Sequence, residues 1–511
     1  MHNYTNEGTY GCVISPPLNV ENAKGNILEQ YFPDIEDTDV SKLFGDVDDC
    51  KTEITTIIKI YKLFQSMNAE DDFINLTIPI KRTACYSFDK LREIYKVPHN
   101  TYNKKWLDCL ERKKINFKFK QRNRKPKEKL SSDNIDNSKS CNEDNICEIV
   151  YSGAGDTLNY INYNLKKRDN FQDFIGNLII LTNSLDKFNN KIKYVHRDIK
   201  PENILFNNNN NGKLSLIDYG LSIESDKIFD KDQTWFRESR YFVNPPEYIF
   251  YELLIKLKEY TPENEKLDNN ITYIIKLYNK NKGNIGNDWF LPNLTQLSNQ
   301  LSKNKPHLQT MSSDFEAKKY TEMMNYFLSL ENNSYTETLE KIKQYPEKID
   351  IYSLGISLLL IYNNFEKDEQ VNKEYIEKFR LIIDKMIETD PEIRYNHKQV
   401  IYDLVELYTS MPGDKVNSFN KTLLEEIINQ NIKQGGKKEE KKKENKKKIV
   451  RKRNIKNTNS LEKNCKYLSK IMILFKDNFK TQKTKPKWKI VIARPSKINN
   501  KKIFLKKNLL L

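Results

Sequence analysis

The sequence predicts a mixed α+β fold, chiefly because its hydrophobic pattern changes along the chain. Short apolar runs typical of β-strands dominate the first 150 residues. Apolar residues at helical spacing dominate later, as in Phe171–Phe188 and Tyr375–Ile387. Hydrophobic residues make up 38% of the chain, which is enough for a sizeable core inside a very polar envelope.

The composition argues against membrane-spanning and secreted proteins. The longest apolar run, Leu354–Tyr362, is far shorter than a membrane-spanning helix requires. The polar amino terminus contains no apolar segment of a secretory signal. The seven cysteines are odd in number, widely spaced and without a CxxC pair. We therefore expect an intracellular, cytoplasmic protein with reduced cysteines, and neither a disulfide framework nor a zinc finger.

The positive charge of the chain is concentrated at its carboxyl end. The whole chain has 86 Lys or Arg and 70 Asp or Glu residues, a net charge of +16. Residues 437–511 alone hold 27 basic and 5 acidic residues, a net of +22, so the rest carries −6. The lysine-rich start of this tail predicts a solvated, disordered segment. Such a tail favours electrostatic binding to nucleic acid or to another acidic partner.

Two neighbouring segments carry residues suited to phosphoryl transfer, Tyr194–Phe206 (YVHRDIKPENILF) and Leu214–Leu221 (LSLIDYGL). Asp198 and Asn203 are five residues apart around a proline, which disfavours a helix and lets both side chains reach one site. Asp218 follows an apolar run, and a carboxylate at a strand end is suited to holding a divalent cation beside phosphates. The alternative interpretation is a loop whose charges are only solvated.

These segments resemble the catalytic loop, HRDLxxxN, and the DFG metal-binding motif of eukaryotic-type protein kinases. The resemblance implies a bilobal protein kinase fold, with a β-rich N-lobe and a mainly helical C-lobe. It implies that Asp198 orients the substrate hydroxyl and accepts its proton, while Lys200 neutralises the transferred phosphate. Asn203 and Asp218 would hold Mg²⁺. Lysine at position 200 is the form found in serine/threonine kinases.

The amino-terminal glycines resemble the glycine-rich phosphate loop of the same family. Residues 6–13 read NEGTYGCV where the family has GxGxxGxV, so asparagine replaces the first glycine. Asparagine tolerates positive φ better than most residues, which keeps the substitution compatible with such a loop. Taken alone, the segment fits an ordinary β-turn equally well. The residues that the resemblance assigns to ATP binding are Asn6, Glu7, Gly8, Thr9, Tyr10, Gly11, Cys12 and Val13.

The lysine that would anchor the nucleotide lacks the family's usual VAIK context. Lys42 lies in a short alternating stretch that predicts a strand. The acidic cluster at residues 46–49 predicts the start of a helix, and Glu53 falls on an early turn of that helix. The resemblance implies that Lys42 binds ATP and that Glu53 is its ion-pair partner. Lys24 and Lys51 are the rival lysines.

Later motifs resemble the carboxyl-terminal half of a kinase domain. Glu247 follows a proline as in the APE motif that ends the activation segment, and Arg394 in its DPxxR context would be its buried partner. Asp350 resembles the residue that begins the central helix and holds the catalytic-loop backbone. Arg197 occupies the position that commonly binds a phosphate on the activation segment, which suggests regulation by phosphorylation as a hypothesis.

The resemblance covers about residues 5–411, apart from two insertions. The implied boundaries are an N-lobe at about 1–150 with a basic insertion at about 98–146, a C-lobe at about 156–411 with an insertion at about 251–346, and a linker and basic tail at 412–511. A basic run such as the first insertion is usually a solvated loop. The second insertion is expected to be partly helical, and the sequence assigns no function to it.

The sequence therefore predicts an ATP-dependent serine/threonine protein kinase that acts on protein substrates with Mg²⁺. Two alternatives remain open, a pseudokinase that serves as an interaction scaffold and a protein whose main role is nucleic-acid binding by its tail. Two prolines directly after the glycine loop and the Asn/Lys-rich composition resemble the divergent serine/threonine kinases of giant DNA viruses. That branch would act in the host cytoplasm or be packaged in virions.

Overall fold

The structure of the protein is a computed structural model. The residues whose structure is described are 3–7, 11–15, 39–87, 108–109, 112, 145–152, 155–158, 168–207, 212–230, 242–259, 294–295, 309–330, 333–366, 371–412 and 420–431. Residue contacts divide the chain into two units, Met1–Ile432 and Lys433–Leu511, and every described residue belongs to the first. The described part combines helices with small antiparallel sheets, so the predicted α+β class is confirmed.

The amino-terminal part contains a five-stranded antiparallel sheet. Its strands are β1 (Asn3–Glu7), β2 (Gly11–Ser15), β3 (Val40–Phe44), β4 (Ile80–Ser87) and β5 (Asn145–Tyr151). The order across the sheet is β1-β2-β3-β5-β4. The central strand β3 is thus hydrogen-bonded to β2 on one side and to β5 on the other, which fixes the face on which each of its side chains lies.

Helix α1 (Val47–Ser66) packs against this sheet. Asp46 accepts hydrogen bonds from backbone N–H groups of the first turn, as the acidic cluster predicts. Glu53 is buried on the helix face that meets the sheet. The apolar residues buried on α1 with it are Val47, Cys50, Ile57, Ile60 and Phe64. A carboxylate on an otherwise apolar buried face requires a polar partner, because an unpaired buried charge is very costly.

The rest of the described chain is mainly helical. The further helices are α2 (Glu70–Leu76), α3 (Arg168–Asn190), α4 (Pro246–Glu259), α5 (Gln309–Ser329), α6 (Tyr335–Lys343), α7 (Ile349–Glu366), α8 (Lys373–Met386) and α9 (His397–Ser410). The helices predicted at Phe171–Phe188 and Tyr375–Ile387 correspond to α3 and α8. Within the described residues, none of these helices combines the length and apolar character needed to cross a bilayer.

Two small sheets bring the loops of the candidate site together. The strands are β6 (Asp156–Thr157), β7 (Tyr194–Val195), β8 (Ile204–Asn207), β9 (Lys213–Leu216) and β10 (Ile223–Glu224). β7 pairs with β10, and β8 pairs with both β6 and β9. Residues 196–203 connect β7 to β8, and residues 217–222 connect β9 to β10. Because the strands at both ends of these connections are paired, the two connections lie side by side.

Helix α7 lies at the centre of the main hydrophobic core. Its sequence is apolar on nearly all sides, as expected for a helix surrounded by protein. Gly355 allows α7 to approach the end of α8 closely. A Cβ atom at this position would lie 2.7 Å from Met386 Cβ and 2.8 Å from Ile387 Cγ2, closer than real Cβ atoms come. The same core includes Leu424 and Ile427, beyond residue 411.

Part of the segment 251–346 packs as an integral element of the protein. Helices α5 and α6 join α4 in a second hydrophobic cluster. Lys319 of α5 is 5% exposed and donates a hydrogen bond of 2.8 Å to the carbonyl oxygen of Ile387, just beyond α8. A cation at a helix carboxyl terminus is favourable because the last carbonyl groups lack partners within the helix. The described part of this insertion is therefore helical, as predicted, and supports α8.

The cysteines contradict the prediction that the protein lacks a disulfide framework. Cys12 is bonded to Cys109 and Cys50 to Cys147, each pair with Cα atoms 6.2 Å apart. Both pairs are separated by 97 residues in the sequence. Spacing alone does not reveal them, because the β-sheet and α1 create the proximity. Cys109 also lies in the basic insertion expected to be a solvated loop, yet it is fully buried.

Candidate active site

Lys42 lies at the centre of an ion-pair cluster formed by three elements. Its Nζ atom is 2.7 Å from Glu53 Oε2 and 3.0 Å from Asp218 Oδ1. Lys42 comes from the middle of β3, Glu53 from the second turn of α1, and Asp218 from the connection after β9. The structure thus brings together the predicted lysine and its predicted partner. It adds a direct contact with Asp218 that the sequence did not indicate.

The electrostatics of this cluster keep Lys42 charged. Burial alone would lower the pKa of the ammonium group, but the carboxylates of Asp218 and Glu53 raise the pKa above its usual value. Burial raises the pKa of Glu53, and Lys42 acts against that effect. For Asp218, burial is outweighed by Lys42 and the pKa is lowered. Asp218 is therefore the more readily ionised of the two carboxyl groups.

Asp198 forms a second polar group with Lys200 and Asn203. Its Oδ2 atom accepts hydrogen bonds of 2.8 Å from Lys200 Nζ and 2.8 Å from Asn203 Nδ2. Asn203 Nδ2 also contacts the Asp198 carbonyl oxygen at 2.9 Å. Residues Pro201–Asn203 form one 3₁₀ turn that brings Asn203 back onto Asp198. The sequence predicted that both side chains reach one site, but it did not predict this turn, which proline favours at its first position.

The ionisation of Asp198 is shifted towards neutral pH. Burial raises the pKa of its carboxyl group to about 6, while Lys200 and Asn203 partly oppose the effect of burial. Its side chain is only 7% exposed. A carboxylate with such a pKa accepts a proton more readily than an ordinary aspartate does. It remains ionised at neutral pH, which suits a general base.

Asp218 adopts an uncommon backbone conformation at the point where it meets Lys42. Its φ angle is 68°, in the left-handed region that aspartate visits more often than most residues. The residue follows β9 closely, in agreement with its prediction as a carboxylate at a strand end. A 3₁₀ turn, Tyr219–Leu221, begins directly after it. The surrounding packing maintains this conformation at a cost of roughly 1–3 kcal/mol.

The Asp198 loop and the Asp218 loop are hydrogen-bonded to each other. His196 Nε2 donates to the Ile217 carbonyl oxygen at 3.1 Å, and the Ile217 backbone N–H donates to the Asn203 carbonyl oxygen at 3.0 Å. Burial lowers the pKa of His196 to about 4, so the ring is neutral at physiological pH. These contacts hold the two polar groups in a fixed relation to each other.

Asp350 restrains the backbone of the Asp198 loop by hydrogen bonds. Its carboxylate accepts hydrogen bonds from the backbone N–H groups of His196 at 2.8 Å and Arg197 at 3.1 Å. It also accepts one of 2.7 Å from Asn189 Nδ2 of α3. Asp350 is completely buried at the start of α7. Its predicted contact with the loop backbone is therefore present, and Arg197 has φ of 69° within the restrained segment.

The predicted phosphate loop lies at a β-hairpin. β1 includes Asn6 and Glu7, while Gly8, Thr9 and Tyr10 lie outside the described residues. β2 begins with Gly11, and Val13 is the register partner of Lys42 in β3. Val13 and Lys42 therefore share one face of the sheet. Cys12 pairs with Leu43, so its side chain lies on the opposite face, where it is bonded to Cys109.

The residues proposed to bind Mg²⁺ are compatible with that ion in chemistry. Asn203 Nδ2 is engaged with Asp198, which leaves the amide oxygen as an acceptor, and Asp218 is ionised. Mg²⁺ usually takes one or two carboxylates together with phosphate oxygens and water, rather than a complete set of protein ligands. The described residues contain no cluster of three or more His, Cys, Asp or Glu side chains arranged for a metal.

Glu247 and Arg394 form a buried, doubly hydrogen-bonded ion pair. Arg394 Nη1 is 2.7 Å from Glu247 Oε1, and Arg394 Nη2 is 2.8 Å from Glu247 Oε2. Each residue is 1% exposed. The sequence predicted this pair, and the contact is confirmed. It connects the start of α4 to the segment between α8 and α9.

Two further polar residues contact α1 and were not predicted from the sequence. The Tyr151 hydroxyl at the end of β5 donates to Glu53, and Glu224 of β10 accepts a hydrogen bond from Lys59. Lys227 and Lys59 lower the pKa of Glu224 to about 2. No sequence signal marks Tyr151, since a tyrosine that ends an apolar run is usually a core residue. Glu224 lies six residues after Asp218 without a motif of its own.

Six of the predicted residues thus form two adjacent polar groups, Lys42 with Glu53 and Asp218, and Asp198 with Lys200 and Asn203. The groups are close enough that Asp218 raises the pKa of Asp198. No protein-family model matches this chain, and no significant match occurs among curated proteins. The chemistry of the site has to be inferred from its own residues.

Proposed function

We propose that this protein is an ATP-dependent serine/threonine protein kinase that transfers the γ-phosphate of Mg-ATP to protein hydroxyl groups. The observation that carries the proposal is the convergence of Lys42, Glu53 and Asp218 beside the Asp198 loop. Phosphoryl transfer needs positive charge and a carboxylate-held cation near the phosphates, together with an oriented hydroxyl. The site combines groups for each of these tasks.

Each residue has a distinct role in this proposal. Lys42, held by Glu53, contacts phosphate oxygens of the nucleotide. Asp198 accepts a hydrogen bond from the substrate hydroxyl and then its proton, and Lys200 stabilises negative charge on the transferred group. Asn203 and Asp218 are the ligands for Mg²⁺, which when bound neutralises charge on the phosphates.

The arrangement of the described residues of the first unit supports a bilobal kinase fold. An antiparallel sheet that packs against α1 precedes a mainly helical part, and the Asp198 and Asp218 loops follow short paired strands. Asp350 restrains the loop backbone, and Glu247 pairs with Arg394. These contacts correspond residue by residue to those that the sequence resemblance implies.

The proposal is tested by phosphate incorporation from Mg-ATP into a generic protein acceptor. We expect measurable transfer by the full-length protein, and a loss of roughly 10²- to 10⁴-fold in Asp198→Asn, the range for removal of a general base. Asp384→Asn is the matched control, because Asp384 lies on α8 in a partly exposed pair with Arg380. The control should retain activity within about twofold, since exposed pairs contribute little.

A scaffold without catalytic activity is the alternative outcome of the same experiment. Equal, background-level incorporation by the wild type and Asp198→Asn would refute the kinase proposal. Nucleotide binding measured in parallel would then separate an ATP-binding scaffold from a protein without a nucleotide site.

A further inference from the structure

Tyr151 provides the second hydrogen bond to the Glu53 carboxylate. The Tyr151 hydroxyl lies 2.5 Å from Glu53 Oε1, and Lys42 Nζ lies 2.7 Å from Glu53 Oε2. Both oxygens of the carboxylate are therefore engaged, one by a neutral donor and one by the cation. Tyr151 is 6% exposed and Glu53 is 1% exposed, so this hydrogen bond is shielded from solvent.

The backbone around Tyr151 fixes the position of its side chain. Tyr151 is the last residue of β5, and it is paired with Val40 of β3 and Ile80 of β4. Burial raises the pKa of the hydroxyl well above its usual value, so the group remains protonated and available as a donor at physiological pH. The donor thus belongs to the rigid sheet, while its acceptor belongs to α1.

This geometry has a consequence for Lys42. Glu53 can direct Lys42 only if its own carboxylate is ionised and held in one orientation. Burial favours the protonated form of Glu53, and the donors that oppose this are Lys42 and the Tyr151 hydroxyl. The charged groups facing Glu53 are Lys42 from β3 and Asp218 from the connection after β9, and Tyr151 faces it from β5.

We infer that Tyr151 is a positioning residue for nucleotide binding, which acts by holding the Glu53 carboxylate in the orientation that contacts Lys42. The inference rests on the proposed kinase function and extends it to a residue that was not predicted from the sequence to belong to the site. The aromatic ring fills space in the core, whereas the hydroxyl holds the carboxylate. Replacement by phenylalanine separates these two contributions because it removes only the oxygen.

The test compares Tyr151→Phe with the wild type in binding of a fluorescent ATP analogue in the presence of Mg²⁺. A buried acceptor that loses its donor is costly, so we expect affinity to fall roughly 5- to 20-fold at neutral pH. The KM for ATP should rise by a similar factor, while kcat changes less than about threefold, because Asp198 is untouched.

The pH dependence of binding distinguishes positioning from a general loss of stability. Removal of a donor to the ionised carboxylate raises the pKa of Glu53 further, so affinity should begin to fall at a higher pH in Tyr151→Phe than in the wild type. If the role of Tyr151 were purely structural, Tyr151→Phe would lower the melting temperature without changing the pH at which affinity begins to fall. Tyr408→Phe on α9 serves as the control, since that tyrosine lies in the core of the helical part.

A double-mutant cycle with Glu53→Gln supplies the second variant. If Tyr151 acts through Glu53, the Tyr151→Phe effect on affinity should largely disappear in the Glu53→Gln background. Suppose that the wild type binds and uses Mg-ATP and that Tyr151→Phe binds it with equal affinity at every pH. This result would overturn the inference about Tyr151 and leave the proposed function intact. A wild type that neither binds the nucleotide nor transfers phosphate would overturn the proposed function and this inference with it.

Discussion

Asp198 is the residue whose ionisation sets the lower pH limit of the proposed reaction. Burial raises its pKa to about 6, and the carboxylate accepts a proton only in its ionised form, which predominates above that pH. We expect kcat/KM for the protein acceptor to fall as pH decreases through about 6. Initial rates between about pH 5 and 8 test this at constant Mg-ATP. A decrease in kcat/KM only near pH 4, the ordinary range of aspartate, would contradict the assignment of Asp198 as the general base.

Substitution of Lys42 should reduce kcat/KM for ATP more than substitution of either rival lysine. Lys42→Met removes the cation between Glu53 and Asp218, and we expect kcat/KM for ATP to fall by about 10²-fold or more. Lys51→Met is the control, because this rival lysine lies on α1 and is only partly buried. Circular dichroism shows whether both variants fold. Full activity in folded Lys42→Met would assign the nucleotide contact to another lysine.

At the residue scale, the sequence predicted contacts that short motifs encode. Lys42 with Glu53, and Glu247 with Arg394, were identified from their context and are present in the structure. The contact of Lys42 with Asp218 and the hydrogen bond from Tyr151 were not identified. Both depend on the register of β3 and β5 and on the path of the chain after β9. Those features are determined by strand pairing over long separations.

At the element scale, the bond between Cys50 and Cys147 ties α1 to β5. Closing a loop of this length should stabilise the fold by about 4–5 kcal/mol in the chain-entropy model. We expect Cys50→Ala to have a lower denaturation midpoint than the wild type in the absence of reductant. With excess reductant the wild type loses the same bond, so the two midpoints should become similar. Non-reducing peptide mapping should recover the linked peptides. A link between Cys147 and Cys85, its register partner in β4, would contradict this pairing.

The Glu247–Arg394 pair connects α4 to the segment between α8 and α9. Arg394→Met leaves a fully buried carboxylate without its partner, which should lower the free energy of unfolding by about 3–5 kcal/mol. The same substitution at Arg380, in a partly exposed pair on α8, should cost much less, about 1 kcal/mol. Thermal and urea unfolding of the two variants measure both values. Equal stability would show that the buried pair is dispensable.

Helix positions were more predictable than strand pairings. The periodic segments Phe171–Phe188 and Tyr375–Ile387 predicted α3 and α8 to within about three residues, because each helix buries one regular face. The partnership of β4 with β5 was not specified by any local pattern, since a long segment separates them. The cysteine prediction was wrong for the same reason. Cys50 and Cys147 become neighbours only after α1 has packed on β5.

At the scale of the whole molecule, charge and the proposed chemistry occupy different parts of the chain. The proposed active site belongs entirely to Met1–Ile432, and residues 437–511 carry the net charge of +22. The residues before 437 carry a net charge of −6. The net charge of the proposed kinase domain therefore does not indicate a basic surface for binding nucleic acid. Any strong attraction to polyanions should depend on the carboxyl-terminal segment.

Removal of this segment should separate nucleic-acid binding from phosphoryl transfer. Lysine and arginine contacts to phosphates release counterions, so binding by the full-length chain should weaken steeply between about 50 and 200 mM salt. We expect the chain ending at Ile432 to bind single-stranded RNA much more weakly at low salt, with a smaller salt dependence, while Asp198-dependent phosphate transfer remains. Fluorescence anisotropy and the acceptor assay measure the two properties on the same preparations. Equal RNA affinity of both chains at both salt concentrations would show that the basic segment does not contribute to binding.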